Sequence, residues 1–136
     1  MQPIDLVAVR AFAAERHAGQ LYGDEPYINH LDRVASRVPT DVEKAVALLH
    51  DVVEEKRATF GEIFVRFGVT VADGIDAVTR RPGEVYMHFI MRASNHQLAH
   101  RVKQSDLADH LSRSSSLKPS LKKRYEAAMK WFPEEI

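Results

Sequence analysis

Four side chains of this sequence, two histidines and two aspartates, are of the types that together bind a metal ion. His50 and Asp51 are adjacent, His30 ends the aromatic-rich run PYINH, and Asp106 lies on a mostly apolar helical face. A buried carboxylate needs a partner, because burial without one is costly. Two imidazoles and two carboxylates suit manganese, iron or a similar ion, and they leave coordination positions for water and substrate oxygens. The expected chemistry is activation of water by a bound divalent metal ion.

Two glutamates add negative charge next to the His-Asp pair. Glu54 follows His50 by four residues and Glu55 follows Asp51 by four, so a continuing helix would bring all four ionisable groups to one end. Carboxylates that close repel one another unless a cation or a proton lies between them. A lone His-Asp pair is common in proteins without a metal, and this crowding is one reason to favour a metal site here.

Helices must position these residues, because the apolar residues mostly recur at intervals of three and four. The pattern predicts helices over about 4–18, 27–38, 40–53, 59–67, 70–78, 84–92 and 95–109, and a last one that begins near Pro119. Thr40 and Thr59 each precede a glutamate by three residues, which is typical of a capping box. We find no convincing strand. The fold class is therefore all-α, a single compact orthogonal bundle of seven or eight helices, with one domain spanning residues 1–136.

Composition narrows the function classes further. The chain has 136 residues, and its 19 basic side chains balance its 19 acidic ones, which argues against a dedicated nucleic-acid partner. It has no cysteine, so disulfides, zinc-thiolate sites and thiol nucleophiles are excluded. The first residues do not form a signal peptide, and no apolar run is long enough to span a membrane. We expect a cytoplasmic protein with a small-molecule partner and no membrane partner.

The spacing of His30, His50-Asp51 and Asp106 resembles that of the HD superfamily of metal-dependent phosphohydrolases. More closely, the chain is similar to the hydrolase domain of the bifunctional alarmone enzymes and to their small stand-alone relatives. The matching stretches cover nearly the whole chain in the family's order: AAERHAGQ (13–20), PYINH (26–30), VALLHDVVEE (46–55), TFGEIFVRFG (59–68), VADGIDAVTR (71–80) and VKQSDLADHL (102–111).

This resemblance implies an HD-type helical domain and a set of residue roles. Family members bind one ion, usually Mn²⁺, through the residues that match His30, His50, Asp51 and Asp106. A metal-activated water then releases pyrophosphate from the ribose 3′ position of guanosine tetra- or pentaphosphate. Residues matching Glu54 and Glu55 position or activate that water, and Glu54 is the better candidate for the proton acceptor.

The chain departs from the family around the substrate. The stretch LYGDE (21–25) lacks the arginine that stacks on guanine in the family, and Tyr22 could stack in its place. His110 stands where the family often has asparagine, four residues after Asp106, and it either reaches phosphate or simply packs. Lys103 lies one turn before Asp106, where it either contacts phosphate or is solvated. Tyr22, Lys103 and His110 are thus the candidate substrate-binding residues.

Three functions remain open at this stage. The first is a guanosine 3′,5′-bis(diphosphate) 3′-pyrophosphohydrolase, and the second is an HD phosphohydrolase for another nucleotide or small phosphate ester, which the missing arginine favours. The third is a non-catalytic binding module that has kept the fold. The complete ligand set argues against the third, because buried ligands without a metal would be costly.

Overall fold

The computed structural model describes residues 3–113 and 117–132, and these form an almost wholly helical fold. In chain order its elements are α1 (Leu6–Arg16), β1 (Leu21–Tyr22), β2 (Glu25–Pro26), α2 (Tyr27–Ser36), α3 (Asp41–Leu49), α4 (Phe60–Phe67), α5 (Val69–Ala77), α6 (Tyr86–Ser94), α7 (Ala99–Ser112) and α8 (Pro119–Met129). Eight helices within the described residues agree with the predicted fold class. No helix in this part of the chain has both the length and the apolar character needed to cross a membrane.

Helix α3 lies at the centre of the core. Its residues 45–49 are all buried, and it packs against α1, α2, α5 and α7. A helix that is apolar on every side needs neighbours on every side, which explains its central place. Gly74 of α5 permits one of these approaches, because a Cβ there would lie 2.6 Å from a methyl carbon of Val46. The close packing of α5 on α3 thus fixes the helix end that carries His50.

Helix ends follow the predicted caps in most places. The Thr40 hydroxyl accepts a hydrogen bond from the Glu43 amide, and the Thr59 hydroxyl accepts one from the Glu62 amide. In the second capping box, the predicted hydrogen bond from the Thr59 amide to the Glu62 side chain is not formed, because the Glu62 carboxylate accepts from Arg16 instead. Gly68 ends α4 with a φ of 92°, a backbone conformation that glycine adopts without strain.

Two predicted helix starts and the absence of strands were wrong. Helix α5 begins directly after Gly68 and not at Thr70. Asn95 ends α6 instead of capping α7, and the His96 ring accepts hydrogen bonds from the Leu98 and Ala99 amides at the start of α7. The strands β1 and β2 form a small antiparallel hairpin, which was missed because two-residue strands have no periodicity to detect.

Candidate metal centre

Three helices bring His30, His50 and Asp106 together in the interior. His30 lies on α2, His50 immediately follows the last residue of α3, and Asp106 lies on α7. All three side chains are buried, and one ligand atom from each lies within 4.8 Å of the others. Nε2 of His30 and Nε2 of His50 are each 3.1 Å from Oδ1 of Asp106. These three predicted site residues therefore lie in contact with one another, although they are up to 76 positions apart in the sequence.

Asp51 stands at the edge of this group. Its Oδ2 atom is 3.2 Å from Nε2 of His50 and accepts a hydrogen bond from the Tyr27 hydroxyl. It is not one of the three residues whose ligand atoms are mutually within 4.8 Å. Its side chain is 19% exposed, so the centre is partly open to solvent at Asp51.

The charges at the centre compensate one another. Burial opposes ionisation of His50, but the carboxylates of Asp51 and Asp106 outweigh it and raise the pKa of His50 well above 6.5. Burial likewise opposes ionisation of Asp106, yet Lys103 and the nearby histidines lower the pKa of that carboxyl well below 3.8. Such a site prefers a positive charge between its carboxylates. A divalent ion would supply that charge, and the nitrogen and oxygen donors are those that Mn²⁺, Fe²⁺ and similar ions accept.

Asp109 is a residue of this centre that the sequence analysis did not assign. Its side chain is fully buried, and its Oδ2 atom is 2.7 Å from Nδ1 of His30. An ionised carboxylate only accepts hydrogen bonds, so Nδ1 of His30 carries the proton and Nε2 faces Asp106. Arg33 donates to both Asp109 oxygens, at 2.7 and 3.1 Å. Burial alone would raise the pKa of Asp109, but the hydrogen bonds to His30 and Arg33 outweigh burial and lower this pKa. The available signal was a second acid one turn after Asp106 on the same apolar face.

The three candidate substrate-binding residues lie against the centre. Lys103 is 2.9 Å from Oδ2 of Asp106 and its side chain is 11% exposed, so it is not the solvated lysine that was the alternative. His110 places Nε2 3.3 Å from Oδ1 of Asp106 and Nδ1 2.8 Å from the Tyr22 hydroxyl. The Tyr22 ring stacks on His30 at a centroid distance of 4.3 Å. One face of Tyr22 is therefore occupied by a residue of the centre.

Glu54 and Glu55 are exposed and do not continue α3. The helix ends at Leu49, and residues 50–56 form turns, so the predicted continuation of α3 through residue 53 was wrong. One helical turn is kept, because the Glu55 amide donates to the Asp51 carbonyl at 2.9 Å. Oε1 of Glu54 accepts a hydrogen bond from the Arg80 amide at 3.2 Å. The roles of Glu54 and Glu55 stay predictions that rest on the resemblance.

The sequence of the chain is similar to those of known alarmone hydrolases, although no protein-family model matches it. The guanosine-3′,5′-bis(diphosphate) 3′-pyrophosphohydrolase MESH1 of Danio rerio is 46% identical over 50% of this chain and 43% of its own length. The Xenopus tropicalis protein of the same name is 42% identical over the same shares. The guanosine-3′,5′-bis(diphosphate) 3′-pyrophosphohydrolase of Haemophilus influenzae is 30% identical over 82% of this chain and 19% of its own length. The chain thus spans less than half the length of these relatives.

A solved structure shares the fold. It is described as a metazoan ortholog of SpoT that hydrolyzes ppGpp, and it aligns with 96% of this chain and 85% of its own chain. The TM-score is 0.79 at 22% sequence identity. This likeness confirms the prediction of an all-helical HD-type bundle.

Proposed function

Because the chain is an HD-fold relative of the alarmone hydrolases, we propose that it is a metal-dependent phosphohydrolase that releases pyrophosphate from the 3′ position of guanosine 3′,5′-bis(diphosphate). The observation that carries this proposal is the convergence of His30, His50 and Asp106, whose buried ligand atoms lie within 4.8 Å of one another. The names of the similar proteins support the choice of substrate.

We assign His30, His50, Asp51 and Asp106 as the ligands of one divalent ion, with Mn²⁺ as the first candidate. The two imidazoles face Asp106 through Nε2, because Asp109 and the Ala47 carbonyl hold their Nδ1 atoms at 2.7 Å. Metal-ligating histidines commonly have such a partner on the other ring nitrogen, which fixes the tautomer and the ring orientation. When bound, the ion would lower the pKa of a water molecule and neutralise charge on phosphate oxygens.

The protein's own side chains would assist in two ways. Lys103 is only 11% exposed and is ion-paired with Asp106, so it keeps a positive charge beside the centre where phosphate oxygens would lie. Glu54, and beside it Glu55, would accept the proton from the attacking water. Tyr22 and His110 are assigned to the substrate side of the centre because they contact each other and His30.

A second candidate function keeps the same chemistry with another nucleotide or small phosphate ester as the substrate. It is favoured by the stretch LYGDE, which has no arginine, and by Tyr22, whose ring already stacks on His30. A guanine base would therefore lack the stacking partner that the resemblance leads one to expect. We propose that the reaction takes place in the cytoplasm, since the candidate substrates are nucleotides or small phosphate esters.

The test is a substrate panel with a matched pair of variants. Purified protein with Mn²⁺ is given guanosine 3′,5′-bis(diphosphate), GTP, GMP and simple phosphate esters, and the release of pyrophosphate and phosphate is measured. We expect release of pyrophosphate from the bis(diphosphate), its loss in His50→Gln, and its retention in His88→Gln, since His88 is exposed on α6. Turnover of another substrate instead would establish the second candidate. No turnover of any substrate would refute both.

A further inference from the structure

The metal centre contains a third imidazole in the same arrangement as the first two. Nε2 of His110 is 3.3 Å from Oδ1 of Asp106, and this is the oxygen that Nε2 of His30 and Nε2 of His50 approach at 3.1 Å. Asp106 and His110 are four residues apart on α7, which places them on one face of the helix. Three ring nitrogens therefore point at a single carboxylate oxygen.

The other ring nitrogen of each histidine is held by an oxygen atom. Nδ1 of His30 contacts Asp109, Nδ1 of His50 contacts the Ala47 carbonyl, and Nδ1 of His110 is 2.8 Å from the Tyr22 hydroxyl. An oxygen partner on Nδ1 leaves Nε2 as the nitrogen available for coordination, which is the usual arrangement of a ligating imidazole. The Tyr22 hydroxyl can accept from Nδ1 of His110 as well as donate to it, so His110 can take the same arrangement.

The position of the His110 ring is further fixed by aromatic contacts. It stacks on Tyr125 at a centroid distance of 4.8 Å and lies 5.0 Å from the His30 ring. Its Nε2 atom does not belong to the group whose ligand atoms are mutually within 4.8 Å. The ring therefore approaches Asp106 from a different side than His30 and His50, and coordination requires it to move toward them.

We propose that His110 is an additional, third imidazole ligand of the metal centre and shifts its preference from Mn²⁺ toward later ions such as Co²⁺. Imidazole nitrogen suits the later first-row ions, whereas carboxylate and water oxygens suit Mn²⁺. An added nitrogen ligand thus raises affinity for Co²⁺ more than affinity for Mn²⁺. This inference rests on the metal site of the proposed function and concerns the ligand count and the choice of ion.

The test compares metal binding in the wild type and in His110→Phe. Phenylalanine keeps a ring that can stack on Tyr125 but has no nitrogen to coordinate. Affinities for Co²⁺ and Mn²⁺ are measured by titration calorimetry, and the coordinated imidazoles of bound Mn²⁺ are counted from nitrogen modulation in pulsed electron paramagnetic resonance. His88→Phe serves as the matched control on an exposed histidine. Circular dichroism melting shows whether each variant is folded.

We expect His110→Phe to lose about tenfold or more in Co²⁺ affinity, less in Mn²⁺ affinity, and one imidazole from the nitrogen signal, with no change in His88→Phe. Tyr22→Phe, which removes only the partner of Nδ1, should show a smaller loss in the same direction. Equal affinities and an equal nitrogen signal in the wild type and in His110→Phe would overturn this inference and leave the proposed function standing. A wild type that binds neither ion would overturn both.

Discussion

Replacing Asp109 with asparagine tests how the fold orients a ligand of the centre. The asparagine side chain would have nearly the same shape, but it would replace one accepting oxygen with an NH₂ group. Asp109 now accepts from His30 at 2.7 Å, from Arg33 at 2.7 and 3.1 Å, and from Arg37 at 3.2 Å. The amide nitrogen would therefore face either the His30 ring or a guanidinium group, donor against donor.

The magnitude follows from burial. Removing one partner of a buried ion pair costs about 3–5 kcal/mol, because the remaining charge loses its compensation. The Asp109 side chain is fully buried, whereas the Arg33 and Arg37 side chains are 25% and 36% exposed and can partly rehydrate. We therefore expect the free energy of unfolding to fall by about 3 kcal/mol, the lower end of that range. Loss of the His30 orientation should weaken metal binding by roughly 10- to 100-fold.

Urea denaturation and Mn²⁺ titration calorimetry measure the two effects separately. Asp32→Asn is the matched control, because Asp32 pairs with Arg10 through side chains that are 40% and 52% exposed. Such an exposed pair contributes about 0–1 kcal/mol, and it lies outside the centre. If Asp109→Asn behaves like Asp32→Asn in both measurements, Asp109 does not orient His30.

Two further predictions concern stability. Gly74→Ala should lower the free energy of unfolding by about 1–2 kcal/mol, because its Cβ would lie 2.6 Å from a methyl carbon of Val46. Gly61→Ala, whose Cβ would lie 3.8 Å from its nearest neighbour, should raise the free energy of unfolding by about 0.5–1 kcal/mol. Thermal melting checks both variants, and equal effects would contradict the packing argument. The Arg92 hydrogen bond lowers the pKa of Glu84 from 4.5 to about 2, so stability from this pair is present above pH 4.5 and is lost as the pH falls toward 2. Unfolding at pH 7 and pH 3 should show Glu84→Gln about 1 kcal/mol less stable than wild type at pH 7, with less than half of that gap left at pH 3, and a pH-independent gap would argue against the pair.

The centre could be predicted from the sequence where residue type and order suffice. His30, His50 and Asp106 were recognisable by their residue types, by the apolar residues around them and by the order of the motifs that resemble the HD family. Asp106 lies almost as far from His30 in the sequence, but the resemblance gave it a role and gave Asp109 none. Only the packing of α7 on α2 shows that Asp109 contacts His30. The proposed position of Glu54 relied on a helix that ends before it, at Leu49.

The fold was predictable from periodicity, whereas its irregular parts were not. Helix α3 could be placed because Thr40 marks its start and its apolar residues include a helical stripe, although residues 45–49 are an unbroken buried run. The start of α7 was misplaced because its first amides bond to the His96 ring, which is not among the side chains that usually cap a helix. The hairpin of β1 and β2 depends on the turn at Gly23, where φ is 63°, and on two residues in each strand.

Metal content and turnover, measured in one preparation, test most directly whether the centre is a catalytic metal site. Protein purified without chelator is analysed for bound metal, and pyrophosphate release from guanosine 3′,5′-bis(diphosphate) is measured with Mn²⁺ for the wild type and for Asp106→Ala. We expect about one metal ion per chain and release of pyrophosphate in the wild type, with both lost in the variant. A wild type that binds no metal even with added Mn²⁺, or an Asp106→Ala variant as active as the wild type, would contradict this expectation.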